Sequence, residues 1–321
     1  MKMKKSILFL TGVLFLGVIK LNAQQISLNS MYLFNETLIN PGATGSKDYI
    51  PVHVNFRKQW AGFSGSPTTQ AITSHGHAGK RMGIGGTLFN DVAGPSRRSG
   101  ININSSYHLR LDKADNHRIG LGLGMSFTQN TIDVNKLTTY LPEDPSVVRG
   151  FNNQMVPDAN FGAFYYFKDK AFFGISAHNL AELQKDLYNF NDVLYNPLER
   201  TYYAMGGYNF KLKHGFGIRT SALFQMIETY TYQFDVTAIV TYKDMFWLGG
   251  SYRHTDSFVF LGGVQFGVFK VGYAYDYTIS DIMNHSTGSH EVFMELQLFP
   301  TNSQNINTPW LQRNRIYSPR L

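Results

Sequence analysis

From residue 101 to 111 the chain alternates, with Ile101, Ile103, Ser105, Tyr107, Leu109 and Leu111 set against Asn102, Asn104, Ser106, His108 and Arg110. Successive side chains of a strand point to opposite faces, so a period of two predicts a β-strand. After the polar turn 112–116 the pattern resumes, with Ile119, Leu121, Leu123, Met125 and Phe127 facing away from Gly120, Gly122, Gly124, Ser126 and Thr128. A half-buried sheet in water needs bulk on its inner face. Here one face is greasy and the other small or polar, which suits a membrane barrel with lipid outside and a polar lumen inside. Each arm also reaches the roughly 9–11 residues that a tilted strand needs to cross a bilayer.

Further strand-like stretches follow at 50–60, 68–77, 82–90, 160–167, 172–179, 201–210, 216–226, 232–242, 245–254, 258–266, 269–280 and 291–299. Together with the two arms this predicts an all-β fold, a transmembrane antiparallel barrel of about 14 strands. The connections have their own rhythm. Short charged links at 79–80, 112–116, 168–170, 211–215 and 243–244 alternate with longer ones at 61–67, 91–100, 131–158, 180–199 and 281–290. Outer-membrane barrels have short periplasmic turns and longer outer loops, and an even strand count returns both ends of the barrel to the periplasm. That places 131–158 and 180–199 outside. Leu180, Leu183, Leu187 and Phe190 have helical spacing, which predicts a short helix in the second of these loops.

Composition fits half-exposed strands: charged residues are 16%, with 30 Gly, 19 Tyr and 25 Phe. Residues 1–23 read as a secretory signal peptide, with Lys2, Lys4 and Lys5, then an apolar run at 7–19, then Ala23 as the last residue removed. No later stretch is apolar for about 18 residues, so later crossings must use strands. The implied address is a bacterial outer membrane with both mature termini periplasmic. Losing the leader takes four lysines and no acid from the formal +7, leaving +3. Arg313, Arg315 and Arg320 account for that remainder, so the pI near 9.3 is no argument for nucleic-acid binding. With no cysteine, disulfides, thiolate metal sites and N-terminal lipidation are excluded. The expected organisation is a signal peptide at 1–23, a segment packed in or under the barrel at 24–48, the barrel at 49–299, and a basic periplasmic tail at 300–321.

Candidate chemistry is sparse. Gly120, Gly122 and Gly124, like Gly83, Gly85 and Gly86, sit within strands and open no helix, so they lack the amide donors of a phosphate loop. His75 and His77 share a strand face but have no third ligand nearby in sequence, so no metal site is expected. His108, His178 and His254 alternate onto the polar side, away from lipid, which leaves no catalytic residue and no cofactor to name. The predicted lumen does hold charges: His53, Arg57, His108, Arg110, Arg219, Asp235, Arg253, Asp276, Glu291 and Glu295. Closure must pair the last strand with the first, which brings Glu291 or Glu295 near Arg57, with Asp276 next door. Such groups are tolerated inside a barrel when they pair.

Several segments resemble the PorP/SprF family of type IX secretion system outer-membrane proteins of Bacteroidetes. They are Ile39-Asn40-Pro41-Gly42-Ala43-Thr44-Gly45, the run 57–67 from Arg57-Lys58-Gln59-Trp60 to Pro67, and Gly85-Gly86-Thr87-Leu88-Phe89-Asn90-Asp91 with Gly94-Pro95. Near the end come Gly272-Tyr273-Ala274-Tyr275-Asp276-Tyr277 and Gly288-Ser289-His290-Glu291-Val292. The resemblance implies a non-enzymatic barrel that works with the export machinery. It would serve in assembly, or in secretion and surface anchoring of a cargo, gliding adhesins included, through the cargo's C-terminal sorting domain. The implied partners are periplasmic lipoprotein or ring components and the cargo. Gly42 stands where Ala is more usual, and the chain continues beyond the closing strand. Trp60 and Phe63 in the outer loop, and Trp310, Arg313, Arg315 and Tyr317 in the tail, are the candidate partner contacts. The alternative is a passive channel or a transporter of apolar small molecules, similar to fatty-acid transporters.

Overall fold

The computed structural model describes residues 29–79, 81–114, 116–133, 154–168, 170–181, 199–228 and 231–299. Fourteen strands close into one barrel: β1 (Ile50–Lys58), β2 (Thr68–His77), β3 (Met82–Ala93), β4 (Ser96–Arg110), β5 (His117–Ile132), β6 (Gln154–Phe167), β7 (Ala171–His178), β8 (Thr201–Lys211), β9 (Phe216–Ile227), β10 (Tyr232–Tyr242), β11 (Phe246–Arg253), β12 (Ser257–Phe266), β13 (Phe269–Thr278) and β14 (Ser289–Leu298). Each strand pairs antiparallel with its neighbours in sequence. β14 returns to β1 with Glu291 opposite Arg57 and Glu295 opposite His53. No described helix is long and apolar enough to cross a membrane. The alternation read from β4 and β5 is the barrel's inside–outside alternation: Leu123 and Met125 are exposed, while Asn104, Ser106 and His108 are buried.

Two features depart from the expected plan. Residues 91–100, expected as an outer loop, are instead wall, and so are 154–158, expected within the outer loop 131–158. β3 runs on to Ala93 and β4 starts at Ser96, so only Gly94 and Pro95 turn the chain. Gly94 takes the left-handed φ of +58° that this tight reversal needs, and its N–H donates to Gly65 O at 2.8 Å. The polarity that suggested a loop belongs to the outer-turn ends of two paired strands, 89–93 lying opposite 96–100.

The second departure is the lumen, which is not lined by small and polar groups alone. On the side of β9–β14, inward Leu223, Ile239, Trp247, Val259, Leu261 and Phe293 pack with Met31, Tyr32, Leu33 and Phe34 into a hydrophobic core. Phe34 lies 4.6 Å from Trp247 and 5.1 Å from Phe293, ring centre to ring centre. β12 is accordingly apolar on both faces. Phe258 and Phe260 are exposed on the outer face, while Val259 and Leu261 meet the chain inside.

Candidate functional site

The interior is occupied by residues 30–47, which thread the barrel from its loop end to its turn end. Ser30 sits level with the loop ends of β1, β11, β13 and β14 through Arg57, Arg253, Asp276 and Glu291. Lower down, the Tyr32 hydroxyl is 3.1 Å from Ser221 Oγ, and Glu36 meets Arg219 at 3.1 Å and Lys47 at 3.2 Å. The segment then crosses toward β6 and β7, where Ile39 O accepts from Ser176 Oγ and His178 Nε2, each at 2.6 Å. Thr44 O accepts from Ser106 Oγ at 2.5 Å and His108 Nε2 at 2.9 Å. Gly45 N–H donates to His75 Nδ1 at 3.1 Å, close to where the chain enters β1. The histidines His75, His108 and His178 therefore hold backbone of the threaded segment. His254 instead lies by the outer face, stacked on Tyr232 with ring centres 6.5 Å apart, because it is in phase with the outward Phe246, Leu248 and Tyr252 of β11 while its neighbour Arg253 takes the inward position.

The Asn40-Pro41-Gly42 bend lies close against the wall. Asn40 Nδ2 donates to Ala163 O of β6 at 3.0 Å and to Ile175 O of β7 at 2.9 Å, while its Oδ1 accepts from Gly42 N at 2.8 Å. A Cβ on Gly120, Gly122 or Gly162 would run into the backbone or side chain of residues 40–42, and one on Gly83 would run into Thr44 O. The lumen glycines are thus the imprint of the segment. Replacing Asn40 by Ala removes three hydrogen bonds, one buried and two part-buried, and takes a donor from two wall carbonyls. A loss of about 2–3 kcal/mol is expected, measurable as a lowered urea midpoint of the refolded barrel in detergent.

Buried charge collects at two levels. At the loop end Arg57 reaches Asp276 at 2.7 Å and Glu291 at 3.0 Å, and Arg253 reaches Asp235 and Asp276, each at 3.2 Å, and Asp256 at 3.6 Å. Ser30 is the hub. Its hydroxyl accepts from both arginines and donates to Asp276, and its N–H, with that of Met31, donates to Glu291. Glu295, considered together with Arg57 from the sequence, lies instead toward the turn end, 3.4 Å from His53 and accepting from Tyr49 at 3.1 Å. Arg110 is exposed at the turn end of β4. Asp256 and Ser30 were not legible beforehand, because neither lies in an alternating stretch. Among the described residues no cluster of three or more His, Asp or Glu is disposed to hold a metal ion.

Between the threaded segment and β2–β8 there remains a cavity of about 190 Å³, lined among others by Asn29, Leu38, Ile39, Asp91, Arg98 and Tyr203. Beside it, the 59–67 loop is tied to the 279–288 loop. Ala61 N–H donates to Gly288 O at 2.7 Å, Thr287 N–H donates to Ala61 O at 2.6 Å, and Trp60 N–H donates to Ser289 Oγ at 3.0 Å. These bonds hold Trp60 at a φ of +48°, unusual for a bulky residue. Phe63, on the same ledge, is 37% exposed. Trp310, Arg313, Arg315 and Tyr317, the leader, and the bulk of the loops at 131–158 and 180–199 lie outside the described residues.

A closed barrel with exposed apolar residues all round and a charged, occupied interior is an outer-membrane β-barrel protein. Residues 21–296 match the family described as type IX secretion system membrane protein PorP/SprF, and the chain belongs to that family. No curated protein matches it in sequence. Among solved structures it is similar to the Acinetobacter baumannii outer membrane protein Omp33, at 7% identity and a TM-score of 0.45, over 79% of this chain and 100% of that one. It is also similar to a Pseudomonas aeruginosa FadL homologue, at 11% identity and a TM-score of 0.47, over 86% and 94%. The Ralstonia pickettii toluene transporter TbuX is similar at 9% identity and a TM-score of 0.48, over 82% and 92%.

Proposed function

We propose that this protein is a non-enzymatic, closed scaffold of the type IX machinery in the outer membrane. It serves assembly of the machine, or secretion and surface anchoring of a cargo through that cargo's C-terminal sorting domain. The observation that carries the closed-scaffold reading is the lumen itself, where residues 30–47 are fixed by hydrogen bonds, ion pairs and an apolar core from one end to the other. An element so held works by presenting its two ends to partners. On the loop side the ledge with Trp60 and Phe63 is the contact surface for cargo. On the periplasmic side the tail with Trp310, Arg313, Arg315 and Tyr317 docks on a lipoprotein or ring component, Trp, Tyr and Arg being the residues that most often anchor interfaces.

Affinity purification from native membranes tests this. Other secretion components are expected to copurify with the full chain, and truncation after Phe299 is expected to lower recovery of a periplasmic partner at least tenfold. Unchanged recovery of every component would remove the tail from the interface. Conductance steps from the intact protein in planar bilayers would favour a channel instead.

A further inference from the structure

We infer that the mature N-terminus is displayed at the cell surface, so that the chain enters its own barrel from outside and crosses the membrane downward through the lumen before β1 begins. This rests on the outer-membrane reading above for which end is outside and on cleavage after Ala23, and otherwise on geometry. Ser30 lies at the loop end, bonded to the last or nearly last residues of β1 and β11 and to the loop-side ends of β13 and β14. Asn29 lines the cavity that opens beside Asp91 and Arg98, on the part of β3 and β4 nearest their two-residue outer turn. Fifteen positions after Ser30, Gly45 has reached the turn end, packed against Gly76 and Gly83 at the turn-side ends of β2 and β3.

The direction decides where the α-amino group can be. With cleavage after Ala23, five residues, Gln24 to Leu28, precede Asn29. Five links span at most about 18 Å. The apolar band of an outer-membrane barrel is about 25 Å tall. The new N-terminus therefore cannot reach the periplasm, even if it turned straight back down the remaining cavity. An even strand number returns the barrel's own ends to the periplasm, but the threaded segment moves the N-terminus to the opposite side. It also follows that the leader is removed before the segment seats. Otherwise the apolar run at 7–19 would have to pass the loop end with the chain.

The chain has no cysteine, so single-cysteine labelling is clean. Ser27→Cys reports on the N-terminus, Ser64→Cys on the 59–67 loop and Ala114→Cys on the 112–116 turn. Each is treated in intact cells, in permeabilised cells and after denaturation with a membrane-impermeant maleimide. Ser27→Cys is expected to label in intact cells to within about threefold of Ser64→Cys, and at least tenfold above Ala114→Cys. Labelling of Ser27→Cys only after permeabilisation, alongside Ala114→Cys, would overturn the inference while leaving the barrel's orientation intact. Reactivity only after denaturation would place the end folded back inside and would overturn surface display. If Ala114→Cys labels in intact cells and Ser64→Cys does not, the barrel is inverted and the sidedness in the proposed function fails. Ser27→Cys following Ser64→Cys would then still support threading from the loop end.

Discussion

Replacing Arg57 by methionine is expected to cost about 3–5 kcal/mol, the loss typical when one partner is taken from a buried ion pair. Arg57 is 1% exposed, and its two carboxylate partners, Asp276 and Glu291, are equally sealed. Methionine restores most of the aliphatic volume, so the loss is electrostatic. Two carboxylates remain, with Arg253 as the nearest cation, and Arg253 already serves Asp235 and Asp256. The measurement is the urea midpoint of the refolded barrel, read by the shift between folded and unfolded mobility on unheated gels. A second change separates charge from packing. Glu291→Gln keeps one oxygen to accept from Ser30 or Met31 while removing the charge, so the Arg57→Met, Glu291→Gln double variant should lose clearly less than the two single losses added together. Additive losses would mean that the guanidinium is held for its shape alone.

That cluster also marks how far the sequence could be read. The barrel, its strand number and its closing pair were legible because lipid outside imposes a strict period of two, and because Arg57, Asp276 and Glu291 are polar residues within alternating strands. What sits inside was not legible. Residues 30–47 have no sustained alternation, since their conformation is dictated by the wall and not by a repeating backbone partner. For the same reason Ser30 gave no sign of bridging two arginines. The inward Leu, Val, Phe and Trp of β9–β14 were also masked, because a strand apolar on both faces carries no period to count. Residues 91–100 misled in the opposite direction. A polar stretch of wall at the outer-turn ends of two strands has the composition of a loop, and only its pairing reveals it as strand. One signal was available: glycines at alternate lumen positions of β5, in register with Gly162 of β6, point to something inside that leaves no room for side chains.

Gly122→Val is the substitution expected to disturb the interior most. Its Cβ would fall against the backbone of Pro41 and Gly42, well inside van der Waals distance. Ordinary overpacking costs about 1–3 kcal/mol when neighbours can shift. Here they shift only by breaking the Asn40 bonds to β6 and β7, so the costs combine and the threaded segment should be expelled from this part of the wall. The expected result is a barrel that still inserts but shows conductance steps in planar bilayers, where the parent shows none. Gly250→Val is the control, because its Cβ meets nothing closer than Val259 O at 3.6 Å on the lipid side, and it should behave as the parent does. Deleting residues 30–46 supplies the decisive comparison. With the segment gone, Gly122→Val should neither raise conductance further nor lower the urea midpoint, because valine suits a strand whose inner face is open. An equal penalty with and without the segment would place the clash in the wall itself, and the lumen glycines would then need another explanation.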